Sequence, residues 1–101
     1  MKTYKLSSTS EYDEWECSQT KKDQSQIAKR LALIQFEGHF GDHKSVSKDN
    51  SVWELRWASG RRVYYSIIKE TNVLLLLGGN KNGQNKDIAK AKKVLATTEE
   101  S

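Results

Sequence analysis

With 101 residues, 30% of them charged, a net charge of +4 and one cysteine, the chain is long enough for one hydrophobic core and too short for a second. Its longest apolar run, Val73 to Leu77, cannot span a bilayer, residues 1–16 hold no apolar signal segment, and Cys17 alone closes neither an internal disulfide nor a thiolate zinc site. A cytoplasmic protein with no membrane partner and no cofactor is expected.

Residues 2–7 alternate, with Tyr4 and Leu6 on one side and Thr3, Lys5 and Ser7 on the other, which predicts a half-buried strand. Ser8-Thr9-Ser10-Glu11 has the spacing of a capping box, and Glu11, Asp13 and Glu14 suit the positive end of a helix dipole. A first helix over 9–17 would turn Tyr12 and Trp15 toward the core. A second helix over about 22–36 carries Ile27, Leu31 and Ile34 on one face, with support from Ala28 and Leu33, and Gly38 ends it. Residues 38–44 read as a loop into a short strand at 44–46. His39 and His43 stand four apart, a helical metal-ligand spacing, but nearby glycines oppose a helix and no further His or Cys could complete a site. Ser47-Lys48-Asp49-Asn50-Ser51 is a turn.

Two arms rich in aromatic and β-branched residues, 53–57 and 61–65, flank Ala58-Ser59-Gly60 and predict a hairpin. A two-residue loop would mix charge and apolar groups on both faces. A three-residue loop with Gly60 at positive φ instead pairs Arg56 with Arg62, Leu55 with Val63, Glu54 with Tyr64 and Trp53 with Tyr65. That register leaves Trp53, Leu55, Val63 and Tyr65 on one face and Glu54, Arg56, Arg62 and Tyr64 on the other, a separation that a one-residue slip would destroy. Trp57 joins Trp53 on the apolar face, where both are expected in the core. Two arginines directly opposed repel by up to about 1 kcal/mol, so the pairing calls for an anion or Glu54 between them. A phosphate-binding surface follows.

Further strands are expected at 61–69 and 72–77, the second a continuous apolar run suited to a strand covered on both faces or nearly so. Gly78-Gly79-Asn80-Lys81-Asn82-Gly83 then reads as a glycine-rich loop. It is either a phosphate cradle without a P-loop or dinucleotide fingerprint, or a loop that needs positive φ. A last helix over about 84–96 has Ile88, Ala91 and Leu95 inward. The order β-α-α-β-β-β-β-α gives an α+β fold with an antiparallel sheet, helices packed on one face and the other face available. One domain, 1–97, is expected, with 98–101 a polar tail. Charge is uneven: from Lys44 to Thr98 eleven basic residues face four acidic ones, which places a nucleic-acid or acidic-protein preference in the sheet half.

Trp53-Glu54-Leu55-Arg56, Gly60-Arg61-Arg62-Val63-Tyr64-Tyr65, Leu75-Leu76-Leu77-Gly78-Gly79-Asn80-Lys81, and Gln84 with Asp87-Ile88-Ala89-Lys90-Ala91 together resemble the RelE/HigB-like toxins, in the phage-derived addiction module killer branch. Gly41-Asp42-His43-Lys44 and Tyr12-Asp13-Glu14-Trp15 resemble the same branch, so the likeness spans nearly the whole chain. It implies the RelE-like fold and a type II toxin that cleaves messenger RNA, on the ribosome or off it, without metal. It also implies silencing by a helix-turn-helix antitoxin. By position, Arg62 and Lys81 match phosphate-binding and transition-state-stabilising cations, Arg56 a basic position across the hairpin, and Lys44 the basic residue preceding it. Arg61, Asn80 and Asn82-Gly83 depart from the family's aromatic, aspartate and Ser-Thr pair.

The chemistry implied is attack of a ribose 2′-OH on the adjacent phosphate, which needs a cationic cradle and two proton transfers. Arg56, Arg62 and Lys81 would hold the phosphate, and Lys44 or Glu54 would be the base. Tyr64 would stack a base, orient the phosphate or simply pack the sheet. His43 would contribute a proton or stand solvated in its loop, and Gln84 would contact substrate. The alternative is a catalytically inactive RelE-like module that binds an antitoxin or nucleic acid through its basic sheet face.

Overall fold

A computed structural model describes residues 3–100. The elements are β1 (Lys5–Ser8), α1 (Ser10–Cys17), α2 (Lys21–Glu37), β2 (His43–Ser45), β3 (Trp53–Arg56), β4 (Arg61–Ile68), β5 (Asn72–Asn80), a 3-10 turn (Lys81–Gly83) and α3 (Gln84–Glu100). The expected order holds. Lys2 of the predicted first strand and Ser101 of the predicted tail lie outside the described residues.

Local chemistry sets the helix ends. Thr9, and not Ser8, caps α1: its hydroxyl accepts from the Tyr12 amide at 3.1 Å and donates to the Leu76 carbonyl at 2.7 Å, which fastens the helix to β5. The capping box anticipated from Ser8 and Glu11 therefore shifts by one residue. Thr20 caps the start of α2 and Gly38 its end, the glycine taking the left-handed conformation at φ 66°. α3 runs past residue 97, so 98–100 continue the helix instead of forming a tail; Thr97 and Thr98 hydroxyls bond back to the Lys93 and Val94 carbonyls.

The five strands lie in the order β1-β5-β4-β3-β2. The run β2 to β5 is antiparallel, but β1 pairs with β5 in parallel, so the expected all-antiparallel sheet is mixed. The hairpin register is the three-residue-loop one, Trp53 to Tyr65 through Arg56 to Arg62, closed by Gly60 at φ 103°.

Both sheet faces are covered, which corrects the expectation of helices on one side. Tyr12 of α1 and Ile27, Leu31 and Ile34 of α2 pack with Leu55, Val63, Tyr65, Val73 and Leu75. On the other face Ala91, Val94 and Leu95 of α3 pack with Val52, Tyr64, Leu74, Leu76 and Leu77. The reason lies in β5 itself: side chains of a strand alternate, so an unbroken apolar run exposes leucines on any uncovered face. A register shift at Tyr64/Tyr65 brings both Leu76 and Leu77 into the α3-side cluster.

Gly78 and Gly79 belong to β5 and not to a loop, and neither needs positive φ. A Cβ at Gly78 would lie 2.0 Å from the Trp15 indole, and one at Gly79 would lie 2.1 Å from an Asp87 carboxylate oxygen. These glycines admit a close approach from α1 on one face and α3 on the other.

Candidate active site

Alternation along β3 and β4 delivers Glu54, Arg56, Arg62 and Tyr64 to the α3 face, where Gln84 begins the helix. Glu54 is fully buried. One of its oxygens, Oε1, lies 3.6 Å from Arg56 Nε and 3.7 Å from Arg62 Nε. Its other oxygen accepts a 2.8 Å hydrogen bond from the Gln84 amide. The carboxylate thus stands between the two opposed arginines, one of the two arrangements their pairing required. Burying a carboxylate alone would cost several kcal/mol, about the scale at which two cations and a side-chain amide become obligatory.

The arginines are not equivalent. Arg62 is only 8% exposed, and its Nη1 donates to the carbonyls of Trp57 at 3.1 Å and Arg61 at 2.9 Å. Arg56 keeps 38% of its side chain in solvent. Arg56 is therefore the cation that an incoming anion meets first. Tyr64 is fully buried and offers no ring face to a nucleobase, which removes stacking from its possible roles. Burial, and then Glu54, push its hydroxyl above the ordinary tyrosine value, so it stays protonated. Asp87, in the first turn of α3, completes the cluster from the Gly79 side; burial raises its carboxyl above the usual aspartate value, while Lys90 opposes the shift.

Lys44 sits opposite Glu54 in the β2–β3 register and is exposed on the edge strand. Lys81 is exposed, and its stem crosses the hairpin tip so closely that a Cβ at Gly60 would lie 3.3 Å from it. The Lys81 amide also donates to the Gly60 carbonyl at 2.8 Å. Neither lysine forms an ion pair among the described residues. His43 does not join them. It pairs with Leu55, so it points to the opposite face, its ring 5.5 Å from Phe40 and 5.3 Å from Trp53. Being adjacent to Lys44 in a strand is what separates it from the cluster.

Arg61 also lies on that opposite face, bonded to Asp23 at 2.8 Å beside the Trp57 ring. Trp53 and Trp57 pack there, half-buried, against the core. Sequence reasoning missed Arg30. It stacks 4.3 Å from the Trp57 ring centre and donates to the carbonyls of Arg56, Phe40 and Asp42. It thereby ties α2 to the end of β3 and to the loop before β2. Its partners are backbone groups far along the chain, which leave no local signature. Asp87 had a weak signal, an acidic residue one helical turn after Gln84. Among the described residues no three His, Cys, Asp or Glu side chains converge to hold a metal ion.

The model of the phage-derived protein Gp49-like family matches residues 14–99. An uncharacterized protein of Haemophilus influenzae is 38% identical over 94 residues, covering 89% of this chain and 91% of that one. Among solved structures, a mutant Escherichia coli toxin RelE in the free state superposes with a TM-score of 0.71 at 15% identity, over 90% of this chain and 96% of that one. A chain of the archaeal RelE–RelB complex from Pyrococcus horikoshii gives 0.65 at 15% identity, over 78% of this chain and 96% of that one. The toxin–antitoxin complex RelBE2 of Mycobacterium tuberculosis gives 0.64 at 15% identity, over 77% and 98%. The fold is that of RelE.

Proposed function

Since the chain belongs to the phage-derived Gp49-like family, we propose that it is the toxin of a type II toxin–antitoxin system, a metal-independent endonuclease that cuts messenger RNA and inhibits translation in the cytoplasm. Its partners are then a cognate antitoxin of the helix-turn-helix type and messenger RNA, free or on the ribosome. The observation that carries this reading is the buried Glu54 held by Arg56, Arg62 and Gln84 on a RelE fold. A buried ion pair contributes little net stability over an apolar replacement. A cluster of this kind, opening onto exposed cations, suits anion chemistry.

In the reaction, the 2′-oxygen attacks phosphorus, its proton passes to a base, the P–O5′ bond breaks and O5′ takes up a proton. The products are a 2′,3′-cyclic phosphate and a 5′-hydroxyl. Arg56 and Lys81 receive the phosphate, and Arg62, already oriented by Glu54 and two carbonyls, stabilises the charge that develops. Lys44 and Glu54 are the two candidates for the base. Glu54 is fully buried and can serve only if the substrate reaches it past Arg56, whereas Lys44 is open to solvent. Gln84 keeps Glu54 in place from α3, and the buried Tyr64 stands opposite it in the β3–β4 register.

A second reading is favoured by one observation: Arg62 already has a carboxylate and two carbonyls as partners. A module that only binds an antitoxin or nucleic acid through its exposed lysines would look the same. Incubating the purified protein with RNA and mapping product ends separates the two. Cyclic phosphate and 5′-hydroxyl ends are expected from the parent, with Arg62→Ala slower by about 10²-fold or more. Removing Arg62 also leaves Glu54 under-compensated, a loss of about 3–5 kcal/mol, so the folded state is checked by circular dichroism, and Arg62→Lys, which keeps a cation beside Glu54, provides the folded comparison. Binding without cleavage by the parent would move the assignment to the second reading.

A further inference from the structure

Next to Glu54 the surface opens into a groove of about 470 Å³ between β2 and the start of α3, a size within the range of about 300–1,000 Å³ usual for small-ligand sites. Lys44, Val46 and Lys48 form one wall and Gln84, Asn85 and Ile88 the other. A second hollow of about 410 Å³, reaching from Lys81 to Lys86, shares Gln84 and Asn85 with the first. The two amide side chains therefore stand where two lysine-rimmed hollows meet.

The components differ in kind. Val46 and Ile88 are half-buried on the α3-side core and give the groove an apolar floor. Lys44 and Lys48 are exposed at its rim. Gln84 is tied through its amide nitrogen to Glu54, whereas Asn85 is exposed and carries both a donor and an acceptor. A single-stranded nucleotide is recognised through three features: its phosphates by cations, its ring face by an apolar surface, and its base edge by paired donors and acceptors. This groove supplies all three beside the carboxylate cluster.

We propose that the groove is a base-recognition subsite for the nucleotide adjoining the cleaved phosphate. In it Asn85 reads the base edge, Val46 and Ile88 support the ring, and Lys48 holds a flanking phosphate. The assignment deepens the nuclease reading and rests on it. It makes Asn85 a specificity-determining residue.

The test is cleavage of a randomised single-stranded RNA pool, sequenced at the new ends, by the parent and by Asn85→Ala, with fluorescence anisotropy of an eight-nucleotide RNA alongside. A preference at one position that drops by about tenfold in Asn85→Ala, while preferences elsewhere persist, is expected, since one bidentate contact discriminates by about 1–3 kcal/mol. Lys48→Glu should weaken RNA binding and reduce its salt dependence. Cleavage by both proteins with one and the same base profile would overturn the subsite while leaving the nuclease standing. A parent that cuts no RNA would overturn the nuclease reading. In that case the anisotropy still decides the groove, because RNA affinity indifferent to both substitutions rejects it. Stronger competition by an acidic peptide than by RNA would likewise reject it.

Discussion

Glu54 shows how far the residue scale can be read. The opposed arginines demanded an anion, and alternation placed Glu54 on their face, so the hairpin register made it one of two candidates, beside an external anion, for the place between them. Its complete burial did not follow, because that depends on Gln84 and α3 arriving from 30 residues downstream. The same distant packing turned Arg62 from an expected surface cation into a nearly buried one. His43 was legible but misread: alternation within β2 sends it away from Lys44. Asp87 offers a test at this scale. Burial raises its folded-state proton affinity above the ordinary aspartate value of about 3.9. The stability it contributes is therefore fully present below that ordinary value and is lost as pH rises through the raised one. Asp87→Asn should remove this segment of the pH dependence and leave the protein at least as stable at neutral pH. Urea denaturation midpoints of both proteins from pH 3 to pH 7, a window set by about 3.9 for a free aspartate, measure it. A variant less stable than the parent at neutral pH would contradict the burial argument.

Among elements, the hairpin was the most legible because its constraint is local: four pairs of side chains sort cleanly in one register and mix in the other. The Gly78-Gly79 pair was the least. Two glycines before a helix look like a loop, and their actual cause is the Trp15 ring and the Asp87 carboxylate, which chain neighbours do not announce. Gly78→Ala should therefore destabilise by about 1–3 kcal/mol through overpacking, since a Cβ would lie 2.0 to 2.3 Å from three atoms of the Trp15 indole. Gly79→Ala should cost less, because a carboxylate at the end of a short side chain can turn aside. Comparing the two urea midpoints tests the reason for the glycines; equal, negligible losses would show that α1 does not press on β5 as described.

At the scale of the molecule, one layer of α1 and α2, the sheet, and one layer of α3 leave the carboxylate–arginine cluster at the end of the sheet where α3 begins. The second helical layer was implicit in Val73 to Leu77, whose leucines needed cover on both sides, but nothing in the order of elements said which helix would supply it. α3 both buries that face and brings Gln84, Asn85 and Asp87 to the site, so the element that completes the core also completes the candidate chemistry. The central claim is that this face cuts RNA in cells. Inducible expression of the parent and of Arg62→Ala, at matched soluble levels, with growth followed and messenger RNA ends mapped by primer extension, tests it most directly. The account predicts growth arrest and new 5′ ends with the parent and neither with the variant. Undisturbed growth and intact messenger RNA with soluble, folded parent protein would contradict it.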